Sequence, residues 1–336
     1  MNTAFNDVSR YVKKQNGPKR VMALWLFVCC SLLFVSPTYS VELQAKLDTQ
    51  LRFDGRSGRE DRYQYRVRFY PSITFDDEQT WSLNFFAASG DDFSSSHNTL
   101  DDNSADLFYL RRAYLRHEND QGKTEIGILP TYKGRVSSTG LSKDGWIAGL
   151  RHVANVSHGK FEVVLGELED TRASRALQAP RELNYIELEY SGNLSSQTSI
   201  ELSLERLLGS SFVTGEVRYQ TASEMAYAAE LIDKVDTNDF KFVASAEKIF
   251  HVYSQQWEVF AYYSYVSDNF GGRAALTEDF LATGHGVAIE LESSLSFASS
   301  FAPFTQFVAP LDWFAKFEAY AGNTRVQFGV KYGLRL

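Results

Sequence analysis

The chain has little cysteine, proline or methionine, and each shortage narrows the choice of structure. Among 336 residues there are 2 Cys, 7 Pro and 3 Met, against 25 Phe and 18 Tyr. Both cysteines, Cys29 and Cys30, lie in one N-terminal apolar run. A chain that loses this run has no thiol, which excludes a disulfide framework and a thiolate metal site. The abundance of aromatic residues favours strands.

Long apolar runs are missing after residue 40. The one long run, residues 21–35, is followed by Thr38-Tyr39-Ser40 and preceded by basic residues, which are Lys13, Lys14, Lys19 and Arg20. This order predicts a signal peptide over residues 1–40, cleaved near Ser40, and a mature domain over residues 41–336. The alternatives are a single transmembrane helix, which needs about 20 apolar residues, and a lipoprotein acylated at Cys29. Val28 disfavours the lipoprotein because it is bulky for such a cleavage site.

The chain also has fewer basic than acidic residues. The chain has 34 Lys and Arg against 42 Asp and Glu, a formal charge of −8. The segment 1–40 is itself basic, so the mature domain is more acidic than the whole chain. An acidic exported protein without a basic patch is not expected to bind nucleic acid.

Period-two alternation is the main pattern that is present. It is clearest in the last residues, where Val326, Phe328, Val330, Tyr332, Leu334 and Leu336 alternate with Arg325, Gln327, Gly329, Lys331, Gly333 and Arg335. Such a strand has one apolar and one polar face. Its length matches the 9–11 residues or so that cross a bilayer, and related patterns occur at 41–53, 63–69, 81–87, 200–204 and 287–295. Without spanning helices, only a closed barrel can cross a membrane.

The connections between these patterns fall into two sizes, as expected for a barrel with short turns at one end and longer loops at the other. Short ones lie near 76–79, 119–122, 157–159, 191–196, 221–223 and 251–254, and long ones near 54–61, 90–105, 130–144, 169–181 and 268–283. The spacing predicts an all-β transmembrane antiparallel β-barrel of about 16 strands, with 14 or 18 left open. Residues 301–321 are ambiguous because Pro303 and Pro310 interrupt them.

These features resemble the outer-membrane porins of Gram-negative bacteria. The strand 326–336 is similar to the signal that the barrel assembly machinery reads, although it ends on Leu336 rather than Phe. Leu110-Arg111-Arg112-Ala113-Tyr114-Leu115 followed by Ile126-Gly127-Ile128-Leu129-Pro130 is similar to a strand pair of phosphate-selective porins. The resemblance implies an outer-membrane location, contact with lipid and lipopolysaccharide, and passage of small hydrophilic solutes. It leaves open whether three copies associate.

If the apolar phase faces lipid, the polar phase faces the lumen. This rule predicts that Arg52, Arg66 and Arg68 line one wall of a pore, joined by Arg116 and Arg151. The same rule predicts that a set of glutamates on later strands also faces the lumen. They are Glu162, Glu187, Glu189, Glu201, Glu205, Glu290 and Glu292. Segregated charge of this kind sets a mild ion preference. The alternative is that these are solvated lumenal residues paired across strands.

The connection 130–144 follows the fifth predicted strand, where porins of this size fold a loop inward. Its Lys133, Arg135 and Lys143 are candidate constriction residues, and an ordinary outer loop is the alternative. The acidic pairs Asp91-Asp92 and Asp101-Asp102 either bind divalent cations or form a solvated loop tip.

Catalysis is not expected. The six histidines are scattered (His97, His117, His152, His158, His251 and His285), and neither a serine–histidine spacing nor a phosphate-binding glycine loop is present. We therefore expect a non-enzymatic channel for passive diffusion, without cofactor or metal. A non-conducting structural or adhesive barrel is the main alternative, and a barrel enzyme is the third.

Overall fold

Alternating residues build long antiparallel strands throughout the mature domain. The computed structural model describes residues 41–335 except 77, 79, 102–103, 132–139, 254, 278–279 and 296–310, so the predicted signal peptide lies outside the described residues. The strands are β1 (Glu42–Arg56), β2 (Arg62–Thr74), β3 (Trp81–Ser89), β4 (His97–Thr99), β5 (Phe108–Asn119), β6 (Gly122–Pro130), β7 (Trp146–Val156), β8 (Gly159–Glu167), β9 (Tyr185–Asn193), β10 (Thr198–Leu207), β11 (Ser210–Gln220), β12 (Met225–Lys234), β13 (Asp239–Val252), β14 (Gln255–Val266), β15 (Gly284–Leu295), β16 (Leu311–Tyr320) and β17 (Asn323–Arg335). Two short 3₁₀ turns occur, at Ala173–Arg175 and Ala274–Leu276. Within the described ranges, no helix is long and apolar enough to span a bilayer.

The strands close into a barrel. Neighbours in the sheet pair antiparallel, and β17 pairs back onto β1 from Lys46↔Arg335 to Arg56↔Arg325. The three-residue β4 pairs with β2 at Gln64–Arg66, beyond the point where β3 leaves the wall. The remaining sixteen strands of the described chain have 9 to 15 residues each. The prediction of a 16-stranded antiparallel barrel is confirmed, and the ambiguous segment 301–321 contributes β16.

One end of the barrel carries most of the long connections and is called the loop end; the other is the turn end. Both ends of the described chain lie at the turn end, as an even strand number requires. The expectation of longer loops at the loop end fails at three connections, namely the four-residue connection 235–238 and two hairpins with two-residue turns. Leu208 and Gly209 have φ of 52° and 78°, and Ala321 and Gly322 have φ of 45° and 75°. Positive φ at both central residues gives the tight type I′ turn, whose twist matches that of the strands.

The two faces of the wall differ as the alternation predicts. On β10, Leu202 and Leu204 point outward and are more than half exposed, whereas Glu201 and Glu205 point inward and are buried. The apolar phase therefore covers the outer surface and the polar phase faces the lumen. An outward apolar face of this extent requires an apolar surrounding.

Aromatic side chains form two belts on the outer surface. Phe240 and Tyr265 are in contact near the loop end, with ring centroids 5.3 Å apart, and Trp257 and Trp313 are 5.5 Å apart near the turn end. Phe240 and Phe250 lie on opposite belts, ten residues apart on β13. At about 3.3 Å per residue and a tilt of about 40°, that separation is roughly 25 Å along the barrel axis, the height of the apolar band of membrane barrels.

The main hydrophobic cluster lies inside the barrel, at the loop end. The described parts of four loops, residues 90–101, 140–145, 168–184 and 267–277, fold over the lumen. With the adjoining strands they bring together large apolar residues, including Phe93, Leu141, Trp146, Phe212, Phe270 and Leu276. The loops are also joined by backbone contacts. Leu141 forms a β-bridge with Thr277, Ser142 N donates to Leu276 O at 2.8 Å, and Ala173 N donates to Asp91 O at 2.7 Å.

Two described segments, residues 91–96 and 140–145, lie side by side in the lumen, where Ser96 Oγ donates to Asp144 at 2.8 Å. We call these two segments the lumenal shelf. They leave part of the barrel cross-section open beside β1, β2 and β13–β17, where the candidate site lies.

Candidate functional site in the barrel lumen

A cavity of about 820 Å³ lies between the lumenal shelf and the wall. Its described lining is strongly charged. Cations come mostly from β1, β2, β16 and β17, and they are Arg52, Arg56, Arg62, Arg66, Arg68, Lys143, Arg218, Lys316, Arg325 and Lys331. The carboxylates are Asp92, Asp144, Glu247, Glu258, Glu290, Glu292 and Glu318. A cavity with such a lining is hydrated and suits polar solutes.

The outer part of the cation wall is organised by one carboxylate. Asp54 on β1 is fully buried and pairs with Arg56, Arg62 and Arg325 at 3.1, 2.6 and 2.5 Å. Arg325 also reaches Glu318 at 3.3 Å. These residues meet because β2 and β17 both pair with β1. Each guanidinium here is held in a fixed position by charge-assisted hydrogen bonds.

Arg66 and Arg68, predicted to line the pore, lie deeper on β2 and are both buried. Arg66 Nη2 pairs with Asp48 at 3.2 Å, and Arg68 Nη2 pairs with Asp144 at 2.7 Å. Arg68 Nε also donates to Ser96 Oγ at 3.0 Å. Arg68 therefore connects the barrel wall to both segments of the lumenal shelf.

Arg52, the third predicted arginine, differs from the other two. Its Nε donates to Gln64 Oε1 at 3.0 Å. Its Nη1 donates to the Gln327 side-chain oxygen at 3.1 Å, in the amide orientation that also satisfies Arg325. Within the described part of the chain, no carboxylate forms an ion pair with Arg52. The side-chain partners of its described hydrogen bonds are therefore neutral amides.

The predicted Glu290 and Glu292 lie on β15, next to the cation wall, with Glu290 directly across from Lys316 of β16. Glu258 of β14 and Glu247 of β13 line the cavity on the following strands. Glu292 pairs with Lys331, Glu290 lies 4.0 Å from Lys316, and Glu247 pairs with Arg218 at 3.1 Å. Glu258 on β14 has no ion pair among the residues that the structure describes. Among the described lining residues, Arg52 is thus a cation that forms no ion pair, and Glu258 and Asp92 are anions that form none.

The other four predicted pore glutamates lie together elsewhere. Glu187, Glu189, Glu201 and Glu205 line a second cavity of about 20 Å³, large enough for about one water molecule. Tyr185 Oη donates to Glu187 at 2.6 Å and to Glu205 at 3.1 Å, and Arg273 of loop 267–283 forms an ion pair with Glu205. The structure therefore separates this group from Arg52, Arg66 and Arg68.

Arg116, Arg151 and Glu162, the remaining wall residues of the prediction, form an ion-pair network centred on Glu125. Arg116 and Arg151 contact Glu125 at 2.7 and 2.8 Å, and Arg151 contacts Glu162 at 2.7 Å. Glu125 is fully buried. These side chains line neither cavity, so their contacts are those of cross-strand neighbours.

The predicted constriction loop is described at both of its ends. Thr131 and Gly140 line the small cavity, and Lys143 lines the large one. Lys133 and Arg135 lie outside the described residues. Asp144 is buried beside the guanidinium groups of Arg68, Arg111 and Arg66. Burial opposes ionisation of this carboxyl group, but the three cations outweigh it and hold the pKa of Asp144 well below its usual range.

Several residues that line the large cavity were not predicted to do so, although the alternation of their strands places them in the polar phase. Arg325 and Lys331 belong to the polar phase of the clearest alternating strand, and Glu247, Glu258 and Lys316 follow the same rule on β13, β14 and β16. Arg111, which organises the lumenal shelf, had no such signal because a β-bulge interrupts the alternation at its position.

Known proteins offer a comparison for the fold. No family model matches the chain, and a search of curated proteins finds no relative. Among solved structures, a triple mutant of the Rhodopseudomonas blastica porin matches with a TM-score of 0.56 at 11% identity, covering 88% of this chain and 100% of that one. The chain has the fold of the bacterial porins.

Two further porin-fold neighbours support this assignment. OprB of Pseudomonas putida gives a TM-score of 0.56 at 8% identity over 93% of this chain and 97% of its own. A loop-deletion variant of OmpT, an outer-membrane protein of Vibrio cholerae, gives 0.51 at 14% identity over 88% and 99%. At such identities the likeness concerns the fold, so the function of this porin-like barrel is argued from its own lumen.

Proposed function

We propose that the mature chain is an outer-membrane porin, a water-filled channel for passive diffusion of small hydrophilic solutes or ions. The observation that carries the proposal is the cavity of about 820 Å³, lined by charged groups, inside a closed barrel. A barrel whose only role was structural would gain stability from an apolar filling, such as the cluster at the loop end. Beside β1, β2 and β13–β17 the interior instead remains polar and open.

The outer surface supports a bilayer as the surrounding. Its apolar face and two aromatic belts fit the outer-membrane barrels of Gram-negative bacteria. The proposal therefore includes export through a signal peptide, residues 1–40, contact with lipid and lipopolysaccharide, and insertion by the barrel assembly machinery. N-terminal sequencing of protein from outer-membrane fractions should begin near Val41. Recovery of a chain that retains Met1 would exclude this route.

The proposal gives the predicted pore-lining residues one of two roles, the attraction of anions or the attraction of cations. Arg52, Arg66 and Arg68 attract anions, and Glu258, Glu290 and Glu292 attract cations. Because most of the lining charges are paired, Arg52, Glu258 and Asp92, which form no ion pair among the described residues, contribute most of the field on a passing solute. We propose that loop 130–144 narrows this opening, since both described ends of the loop lie inside the barrel.

Catalysis is not part of the proposal. His97 is the one lumenal histidine that contacts a hydroxyl group among the described residues, with Nδ1 3.2 Å from Ser95 Oγ. Its other nitrogen faces Gln50 Oε1 at 3.2 Å rather than a carboxylate. The histidine therefore lacks the charged partner that stabilises a protonated base in a hydrolytic triad. His285 and His117 lie on the outer surface against Tyr263 and Trp81.

Liposome swelling tests the proposal. The refolded mature chain is reconstituted into liposomes that are then diluted into isotonic solutions of uncharged sugars of increasing size. We expect swelling with monosaccharides and a progressive loss with larger sugars, because the opening admits solutes by size. Liposomes that contain folded barrel and do not swell with any sugar would favour the non-conducting structural or adhesive barrel. Analytical ultracentrifugation of the detergent-solubilised barrel tests the further proposal that three copies associate.

A further inference from the structure

Arg111 and Arg112 are consecutive residues of β5, and both point into the lumen. In a regular strand, neighbouring side chains point to opposite faces, so one of the two would face lipid. The register between β3 and β5 shifts here, from Phe86↔Arg112 to Ala87↔Leu110, so that Arg111 is the extra residue of a β-bulge. A β-bulge can change the face of the sheet to which a side chain points. Arg112 stacks on Phe86 and donates to Gly145 O at 2.7 Å and to Lys143 O, so it contacts one segment of the lumenal shelf. Arg111 turns toward both segments.

The Arg111 guanidinium contacts both segments of the shelf. It is fully buried, and it donates only to backbone carbonyl oxygens. Nη1 donates to Asp92 O at 2.8 Å and to Asp144 O at 3.4 Å. Nη2 donates to Ser89 O, Gly90 O and Ser95 O at 2.8, 2.9 and 3.2 Å. In the described part of the chain no carboxylate forms an ion pair with this cation.

The contacted segments form one side of the large cavity. Asp92, Ser94 and Ser95 from the first segment, and Lys143 and Asp144 from the second, line it directly. Arg111 itself does not line it. Ala275, Thr277 and Phe280 of loop 267–283 line the cavity as well. The width of the opening therefore depends in part on where the two shelf segments lie. Arg111 is bonded to both segments from behind, and Arg68 is bonded to both from the wall.

We propose that Arg111 is a positioning residue that sets the bore of the channel by holding the two segments of the lumenal shelf together. This inference rests on the proposed porin function. Removing the guanidinium leaves five carbonyl oxygens without a charged donor around a fully buried side chain. The segments, which remain joined by the Ser96–Asp144 hydrogen bond and by Arg68, then move more freely, and the opening widens and fluctuates.

The test compares Arg111→Met with wild type and with Arg116→Met. Arg116 lies on the same strand and face but pairs with Glu125 and contacts no loop. Folding is checked first by heat-modifiable migration. Hydrogen exchange of residues 91–97 and 140–145 should then rise by roughly tenfold or more in Arg111→Met, because hydrogen bonds to a charged group are lost. Single-channel conductance and the size of excluded polyethylene glycols should increase only in this variant.

Arg111→Lys keeps the proposal testable if the methionine variant does not fold. The lysine ammonium has three donors and no planar fork, so it cannot reach both segments at once. We expect a folded barrel with faster exchange in at least one segment and a broadened distribution of conductance. Wild-type exchange in both segments, or loosened segments with an unchanged conductance and exclusion size, would overturn the inference. A wild-type barrel that does not conduct would instead overturn the porin function, and the exchange data would still report on Arg111.

Discussion

Arg52 and Glu258 line the same lumenal cavity from β1 and β14, and neither forms an ion pair among the described residues. Other lining cations, such as Arg66 and Lys331, have a carboxylate partner that cancels much of their field. The two uncompensated charges lie in a polar opening bounded by low-dielectric walls, where fixed charge acts strongly on a passing ion. Together with Asp92, they are therefore the residues whose removal should most alter ion preference.

Neutralising Arg52 and neutralising Glu258 should shift the reversal potential in opposite directions. Arg52→Gln should raise the preference for cations, and Glu258→Gln should raise the preference for anions. Both shifts should shrink in about 1 M salt, where screening acts within about 3 Å. Reversal potentials across a tenfold potassium chloride gradient measure the effect. Arg206→Gln, on the outer face of β10, is the matched control and should behave as wild type. Neutralising Arg52, Arg66 and Arg68 together should exceed the effect of Arg52 alone.

Asp144 should keep the lumenal shelf attached to the wall well into the acidic range. Because Arg68 holds its pKa below the ordinary value, the ion pair contributes stability above about pH 3.9, where the unfolded carboxyl ionises. That contribution is lost only as the pH falls through the lower folded-state pKa. Hydrogen exchange of residues 140–145 should therefore stay constant between about pH 7 and pH 4.

Asp144→Asn should behave differently at every pH. It leaves Arg68 buried without its partner, at a cost of roughly 3–5 kcal/mol for a broken buried pair. The barrel should unfold at a lower temperature, and its conductance should fluctuate even at neutral pH. A variant with wild-type conductance and melting behaviour would show that this pair does not anchor the loop.

The closing strand should not tolerate charge on its outer face. Tyr332 belongs to the apolar phase of β17, opposite Thr49 of β1. Tyr332→Asp places a carboxylate against hydrocarbon and should cost about 1 kcal/mol or more, with reduced assembly. The fraction of heat-modifiable barrel in outer membranes measures the loss, and Tyr332→Phe is the control. Equal amounts of folded barrel for all three proteins would mean that this position does not face lipid.

Gly145 lets the two loops of the shelf pack together. An added Cβ at this position would collide with the Phe93 ring, and it would lie 2.8 Å from Thr131 Oγ1. Gly145→Val should therefore displace Phe93, destabilise the loops by about 1–3 kcal/mol and change the conductance. Gly333, where an added Cβ meets nothing within 4 Å, provides the control for the same substitution. Identical conductance of the two variants would contradict the packing described here.

The wall of this barrel could be predicted from the sequence because its signal is local. The alternation of Phe328 with Gln327 directly determines which residue meets lipid and which meets the lumen. Strand number followed from the spacing of such segments. The tight hairpin at Leu208-Gly209 was missed because a leucine with positive φ is rare. No residue pattern around Leu208 indicates that its backbone adopts a positive φ.

The interior could not be predicted in the same way. Phase alone places Arg52 and Glu201 both inside, but the loops that fold between them divide the lumen into two cavities. That division depends on contacts between distant segments, such as Arg68 with Asp144, which no periodicity encodes. The bulge at Arg111 breaks the alternation itself, so the residue that organises the shelf follows no pattern in its own strand.

Single-channel recording tests the central claim most directly. The refolded mature chain, residues 41–336, is added at low concentration to a planar lipid bilayer under a tenfold potassium chloride gradient, after folding has been confirmed by heat-modifiable migration. The porin account predicts discrete conductance steps of uniform size that grow with salt concentration, and a reversal potential that Arg52→Gln moves toward cation preference. A folded barrel that inserts into the bilayer and gives no conductance steps would contradict it.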